Sequence, residues 1–67
     1  MIRVHRLNGE EFLLNEHHIE LAEAKPDTVI TLTNDRKYII RETTQELMEL
    51  IRAEQVEFMR RFHEKER

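Results

Sequence analysis

Four histidines, at positions 5, 17, 18 and 63, are the side chains best suited to bind a metal or move a proton near neutral pH. Their spacing argues against both uses. His17 and His18 are adjacent and would diverge on a helix. No pair has the i,i+4 separation with which a zinc-binding helix presents two ligands. Cysteine is absent, which removes thiolate ligands, thiol nucleophiles and disulfides together. Serine is absent too. Neighbouring carboxylates occur at Glu10, Glu11, Glu20 and Glu23, but in a chain that is 37% charged they read as solvated surface. With one glycine, no glycine-rich phosphate loop can form. The residues point away from catalysis, cofactors and metals, and toward a non-enzymatic protein.

The basic residues Arg52, Arg60, Arg61, Lys65 and Arg67 raise a second possibility, a track for nucleic-acid phosphates. From Thr43 to Arg67, however, five basic residues are mixed with six acidic ones. Glu57 and Arg61 have the i,i+4 spacing of a helical ion pair. The formal net charge is −3. A solvated, salt-bridged helix face fits better than a phosphate track, and no nucleic acid is expected as a partner.

Chemistry of contact remains, and it depends on the elements that carry apolar residues. Sixty-seven residues make one domain, of which only 39% are hydrophobic. So short a chain has difficulty burying enough surface alone. Self-association is the expected extra source of burial, and the fold is expected to be homo-oligomeric. The first residues, MIRVHRLNG, carry charge early and have no long apolar run. They match neither a signal peptide nor a membrane anchor, so a cytoplasmic protein without membrane insertion is expected.

The strongest β signal is Pro26 to Glu42. Thr28 to Leu32 and Tyr38 to Ile40 are β-branched or aliphatic runs around a polar break, which predicts a hairpin. A loop of Thr33-Asn34-Asp35 pairs Leu32 with Arg36, Ile30 with Tyr38 and Thr28 with Ile40. Ile30, Leu32, Tyr38 and Ile40 then share a face. A matching hairpin precedes it. A loop of Leu7-Asn8-Gly9 pairs Arg6 with Glu10, Val4 with Phe12 and Ile2 with Leu14, again gathering the apolar residues on one face. Gly9 takes the left-handed position of the turn, and Asp35 takes the same position in the second hairpin.

Between the hairpins, Asn15 to Lys25 reads as a short helix. Asn15 is its N-cap, Ile19 and Ala22 face inward with Leu21 and Ala24 at the margin, and Pro26 is its stop. After the second hairpin, Thr43 and Glu46 form a capping box, and Thr44 to about Glu64 reads as one long helix. The expected fold is α+β: two antiparallel β-hairpins with a short connecting helix and a long C-terminal helix, ββαββα. Val4, Asn8, Phe12 and Leu14 recur 26 residues later as Ile30, Asn34, Tyr38 and Ile40. This is either an internal duplication or the similarity any two hairpin–helix units share.

Two apolar surfaces remain uncovered in this scheme. Six-residue strands span about 20 Å and the long helix about 31 Å. The last turns of the helix, with Phe58, Met59 and Phe62, should therefore overhang the sheet. Leu13, Val29 and Ile39 point to the second face of the hairpins, to be covered either by the short helix or by a second subunit. These six residues are the candidate interface.

Met1-Ile2, Arg6-Leu7-Asn8-Gly9, Phe12-x-Leu14-Asn15, Ile19-Glu20, Pro26-Asp27-Thr28-Val29-Ile30-Thr31-Leu32 and Lys37-Tyr38 together resemble the small flagellar FlbD/SwrD family, over about residues 1–52. The resemblance implies a protein of swarming motility that supports flagellar motor power through the stator, with no catalytic residues. It implies residues 1–52 as the family domain, including the first part of the long helix. Residues 53–67 are then a charged extension of that helix. It also places the protein in the cytoplasm, peripheral to the flagellar base, with a flagellar motor or stator protein as its partner. The sequence departs from the family at Asp35, where glycine is common, and in its charged tail. An alternative resemblance is to CsrA-type RNA-binding regulators, through Met1-Ile2, Arg6 and Gly9-Glu10. The basic motif of those regulators has no counterpart here.

Overall fold

The computed structural model describes residues 1–65, with side chains described through residue 60. The first hairpin is β1 (Ile2–His5) and β2 (Glu11–Leu14), antiparallel, with Ile2 opposite Leu14 and Val4 opposite Phe12. The second joins β4 (Thr28–Leu32) to β5 (Lys37–Ile40), with Thr28 opposite Ile40 and Ile30 opposite Tyr38. Both registers are those the apolar alternation predicts. The turn chemistry is shared as well. The Asn8 side-chain oxygen accepts from the Glu10 amide at 2.9 Å, and that of Asn34 accepts from the Arg36 amide at 3.1 Å.

The predicted connecting helix is not there. Asn15 does act as an N-cap, its side chain accepting from the His17 amide at 3.0 Å, but the helix it starts is one 3-10 turn, Glu16–His18. Ile19–Ala24 is then a strand, β3, antiparallel to β4. The order is therefore ββ, one 3-10 turn, βββ, α, with a two-stranded sheet and a three-stranded sheet β3-β4-β5. Two physical reasons account for the change. An isolated helix of two or three turns is marginal, whereas β3 satisfies the free edge of β4. And the register shifts between Ile19 and Leu21, which puts Ile19 opposite Leu32 and Ala22 opposite Ile30. This bulge turns residues three apart onto one face, a spacing that otherwise signals a helix. Leu21 and Ala24 are exposed rather than inward. Pro26 lies in the β3–β4 turn, where the Lys25 amide donates to the Asp27 carbonyl at 2.9 Å.

One bridge, Arg6 to Ile40, joins the sheets, beside a hydrogen bond from the Arg41 amide to the His5 carbonyl at 2.8 Å. The strands thus follow one another as β2-β1-β5-β4-β3. The core lies inside this bend, formed by Ile2, Val4, Leu14, Ile30, Ile40 and Leu47. Phe12, Ile19, Ala22, Leu32, Tyr38, Leu50 and Ile51 pack around it. The two hairpins continue into unlike elements, a strand and a helix, so the hairpin–helix unit does not repeat.

The helix α1 (Thr44–Lys65) begins with the predicted capping box. The Thr43 hydroxyl accepts from the Glu46 amide and the Glu46 carboxylate from the Thr43 amide, both at 3.1 Å. α1 packs on β1 and β3 through Leu47, Leu50 and Ile51. Its 22 residues span about 33 Å, and the whole molecule measures 46 × 23 × 19 Å. The long dimension is the helix end standing clear of the sheets. No helix among the described residues is long and apolar enough to cross a membrane.

Candidate interaction surface

At the meeting point of the two sheets and α1, His5 is fixed by Glu42. The Glu42 carboxylate accepts from the His5 amide at 2.9 Å, and its other oxygen lies 2.6 Å from His5 Nδ1. Glu42 is only 13% exposed. Burial alone would raise its carboxyl. The hydrogen bonds from the His5 ring and amide outweigh that and hold it below the ordinary value. Glu11 stands 3.7 Å from the far side of the imidazole. This is a clamp between strand and helix entrance, with the chain's own groups filling it. His17 and His18 are on the surface, with His17 3.7 Å from Glu16. The His63 side chain lies outside the described residues. Among the described residues no group of three or more histidine or acidic side chains could hold a metal ion.

The first candidate surface is the outward side of the β-sheets. Val29 is half-buried and stands directly opposite Ile39, which is 48% exposed. Leu21, exposed on β3, extends the pair diagonally, since it faces Thr31 one pair along from Glu23 and Val29. Sequence reading did not single out Leu21, having placed it on a helix. Its alternation with Glu20 was the available signal. Leu13 does not join this stripe. It is exposed on β2 opposite Arg3, and lines a depression with Phe12, Leu32 and Tyr38. Ile39 lines a different one, with Leu7 and Lys37. Arg6 and Tyr38 line both, the Arg6 guanidinium 4.8 Å from the Phe12 ring centre and 5.6 Å from that of Tyr38, a stacked cation.

The second surface is the helix end. Phe58 is 66% exposed and Met59 is also exposed. They form the wall of a groove of about 500 Å³ whose other lining residues are Glu16, His17, Glu54 and Gln55. The side chain of Phe62 lies outside the described residues. The 3-10 turn supplies the opposite wall, and Glu16 is its anchor. The Glu16 side chain is 7% exposed. One oxygen accepts from the Met1 ammonium at 3.3 Å, and the other lies 2.9 Å from the same nitrogen without a hydrogen bond. Burial would raise this carboxyl, and the ammonium outweighs it and lowers it. The hydrogen bond to Glu16 in turn holds the ammonium above its ordinary value. Glu54 also approaches Met1, at 3.6 Å. Of these four lining residues only His17 was weighed from the sequence, and as a metal ligand rather than a groove wall, because segments so far apart in the chain meet only through the fold.

Arg52 and Arg60 are exposed, and Arg60 lies 3.7 Å from Glu57. The other members of the basic cluster have side chains outside the described residues. What the described surface offers is apolar contact edged by charge. In comparison with known families, the family model described as "FlbD: Flagellar and Swarming motility proteins" matches residues 1–60. No curated protein and no solved structure matches. The RNA-regulator alternative gains no support.

Proposed function

The chain belongs to the FlbD family of flagellar and swarming motility proteins, and on that premise we propose that it is a non-enzymatic accessory protein supporting flagellar motor power through protein–protein contacts. Its place is the cytoplasm, peripheral to the flagellar base, and its partner a motor or stator protein. The observation that supports this reading is the apolar surface left in solvent by so small a domain. Leu21, Val29 and Ile39 lie on the sheet, and Phe58 and Met59 on the helix. Exposed apolar side chains gathered into patches are characteristic of interaction sites. Among the described residues, the tightly held histidine–carboxylate pair of His5 and Glu42 is already engaged between the strands and α1.

The test is complementation of a strain lacking the gene. Two variants, Leu21→Asp/Ile39→Asp and Phe58→Asp/Phe62→Asp, are first shown to be folded by circular dichroism. At least one should then fail to restore swarming and lose copurification with the stator. Wild-type swarming with both would remove these surfaces from the mechanism. Recovery of RNA in place of a motor protein would move the protein to the regulator class.

A further inference from the structure

We propose that the groove beside Phe58 is occupied by the α1 end of a second copy of this chain, the two helices running antiparallel. The proposal concerns assembly and stands apart from the motility role. Three observations carry it.

The first is where the apolar stripe of α1 loses its cover. Leu47 is buried, and Leu50 and Ile51 pack on the core. Phe58, seven residues beyond Ile51, returns to nearly the same helical face after two turns. It finds no sheet beneath it and is 66% exposed. The body ends at Glu54, where a carboxylate facing the Met1 ammonium takes the next inward position. Between Gln55 and Arg60 the inward face of α1 borders the groove rather than the core, and Met59 extends it sideways.

The second is the distribution of charge along α1, which selects the occupant and its direction. Residues 44–57 hold four acidic side chains and one basic. Residues 60–67 hold four basic and two acidic. A parallel copy would set acidic against acidic and basic against basic. An antiparallel copy sets the basic end of each helix against the acidic stretch of the other, the complementarity that fixes register and orientation at interfaces.

The third is the groove itself. Its lining carries the half-exposed Glu54 carboxylate beside Phe58 and Met59, while Glu16 is buried against the Met1 ammonium, so it suits a segment that is both apolar and basic. The segment Phe58 to Lys65 of a second copy has that composition. A two-fold axis beside Phe58 brings position 62 of the second copy level with Glu54. Arg60 and Arg61 of that copy then lie within about one turn, or 5.4 Å, of Glu54. The helices cross over about eleven residues, roughly 16 Å. That is a small interface of the weak, transient class, so a reversible dimer is expected.

Sedimentation of the full chain from about 1 to 200 μM reads the assembly directly. The expected result is a reversible dimer. Phe58→Asp should give a monomer with unchanged circular dichroism, since Phe58 does not pack on the core. Arg60→Glu/Arg61→Glu should weaken the dimer about tenfold, and adding Glu54→Lys should restore part of the loss. Direction is read by disulfide trapping, because the native chain has no cysteine. Glu54→Cys mixed with Phe62→Cys should give the mixed disulfide as the main product. A strict monomer at 200 μM would overturn the proposal and leave the groove to a different protein. So would a dimer unaffected by Phe58→Asp, or trapping that gives only 54–54 and 62–62 products, which means parallel helices.

Discussion

Asp35 holds in the β4–β5 turn the left-handed backbone that Gly9 holds in the β1–β2 turn, with φ of 69° and 92°. The two positions are equivalent in register, in the Asx hydrogen bond that precedes them and in the strand pair they close. Only glycine occupies that conformation without strain from Cβ, and aspartate tolerates it in part. Asp35→Gly should therefore stabilise the fold by about 0.5 kcal/mol, strain relief being partly offset by added freedom in the unfolded chain. Gly9→Ala should destabilise it by about 1–2 kcal/mol. A Cβ at Gly9 would lie 3.5 Å from Arg41 Nη1, an ordinary contact, so the cost is in the backbone. Urea unfolding midpoints decide both, and a less stable Asp35→Gly protein would contradict the argument.

Glu42 is the acceptor for both His5 groups that face it. Glu42→Ala leaves a half-buried ring nitrogen and amide without that acceptor, at a cost of about 1–3 kcal/mol. Because the clamp joins β1 to the start of α1, the variant should also show faster amide exchange at Arg41, which donates to the His5 carbonyl. Exchange no faster than in the wild type would mean that the clamp does not hold the junction.

Glu42 and Glu16 set the acid limb of stability. Both carboxyls titrate below the ordinary 4.5, hydrogen bonding having outweighed burial. A group lowered in the folded state contributes stability that is complete above its unfolded value and is lost as pH falls through the folded value. The thermal midpoint should be insensitive to these groups near pH 6 and fall as the pH drops below 4.5. The Met1 ammonium acts in the opposite direction. Its value is raised above 8.0 by Glu16, so its contribution is complete below 8.0 and fades as pH rises through the raised value. Glu16→Gln/Glu42→Gln should lower the midpoint at pH 7 and flatten the acid limb. An acid limb as steep as the wild type's would assign it to other carboxylates.

Neighbouring residues on β4 and β5 separate folding from contact. Ile30 is fully buried and Ile39 is half in solvent. Ile30→Ala should cost about 2–4 kcal/mol, enough to unfold much of so small a domain. Ile39→Ser should change stability by less than about 0.5 kcal/mol. Chemical denaturation measures both. A large loss for Ile39→Ser would show that the outward face is packed in solution.

Thr43 tests the entrance of the long helix. Its hydroxyl and the Glu46 carboxylate satisfy one amide each. Thr43→Ala should cost about 1 kcal/mol and Thr43→Ser much less. Equal losses would point to the methyl group rather than the hydroxyl.

Local chemistry was enough to determine both hairpin registers, the positive-φ positions Gly9 and Asp35, and the capping box at Thr43. In each case a turn or cap residue and the adjacent apolar alternation agree within a few positions. The outward placement of Leu13 and Ile39 followed from the same alternation. Tertiary structure alone decided the segment from Asn15 to Ala24. Ile19 and Ala22 are three apart, which suits a helix face and a bulged strand equally, and the free edge of β4 settled it as β3. The same change carried Leu21 into solvent and reduced the predicted helix to one turn at Glu16. The groove at Phe58 was hidden for a related reason. Its walls come from the 3-10 turn and the end of α1, and their meeting depends on how the bent sheets seat the helix, which no local pattern records.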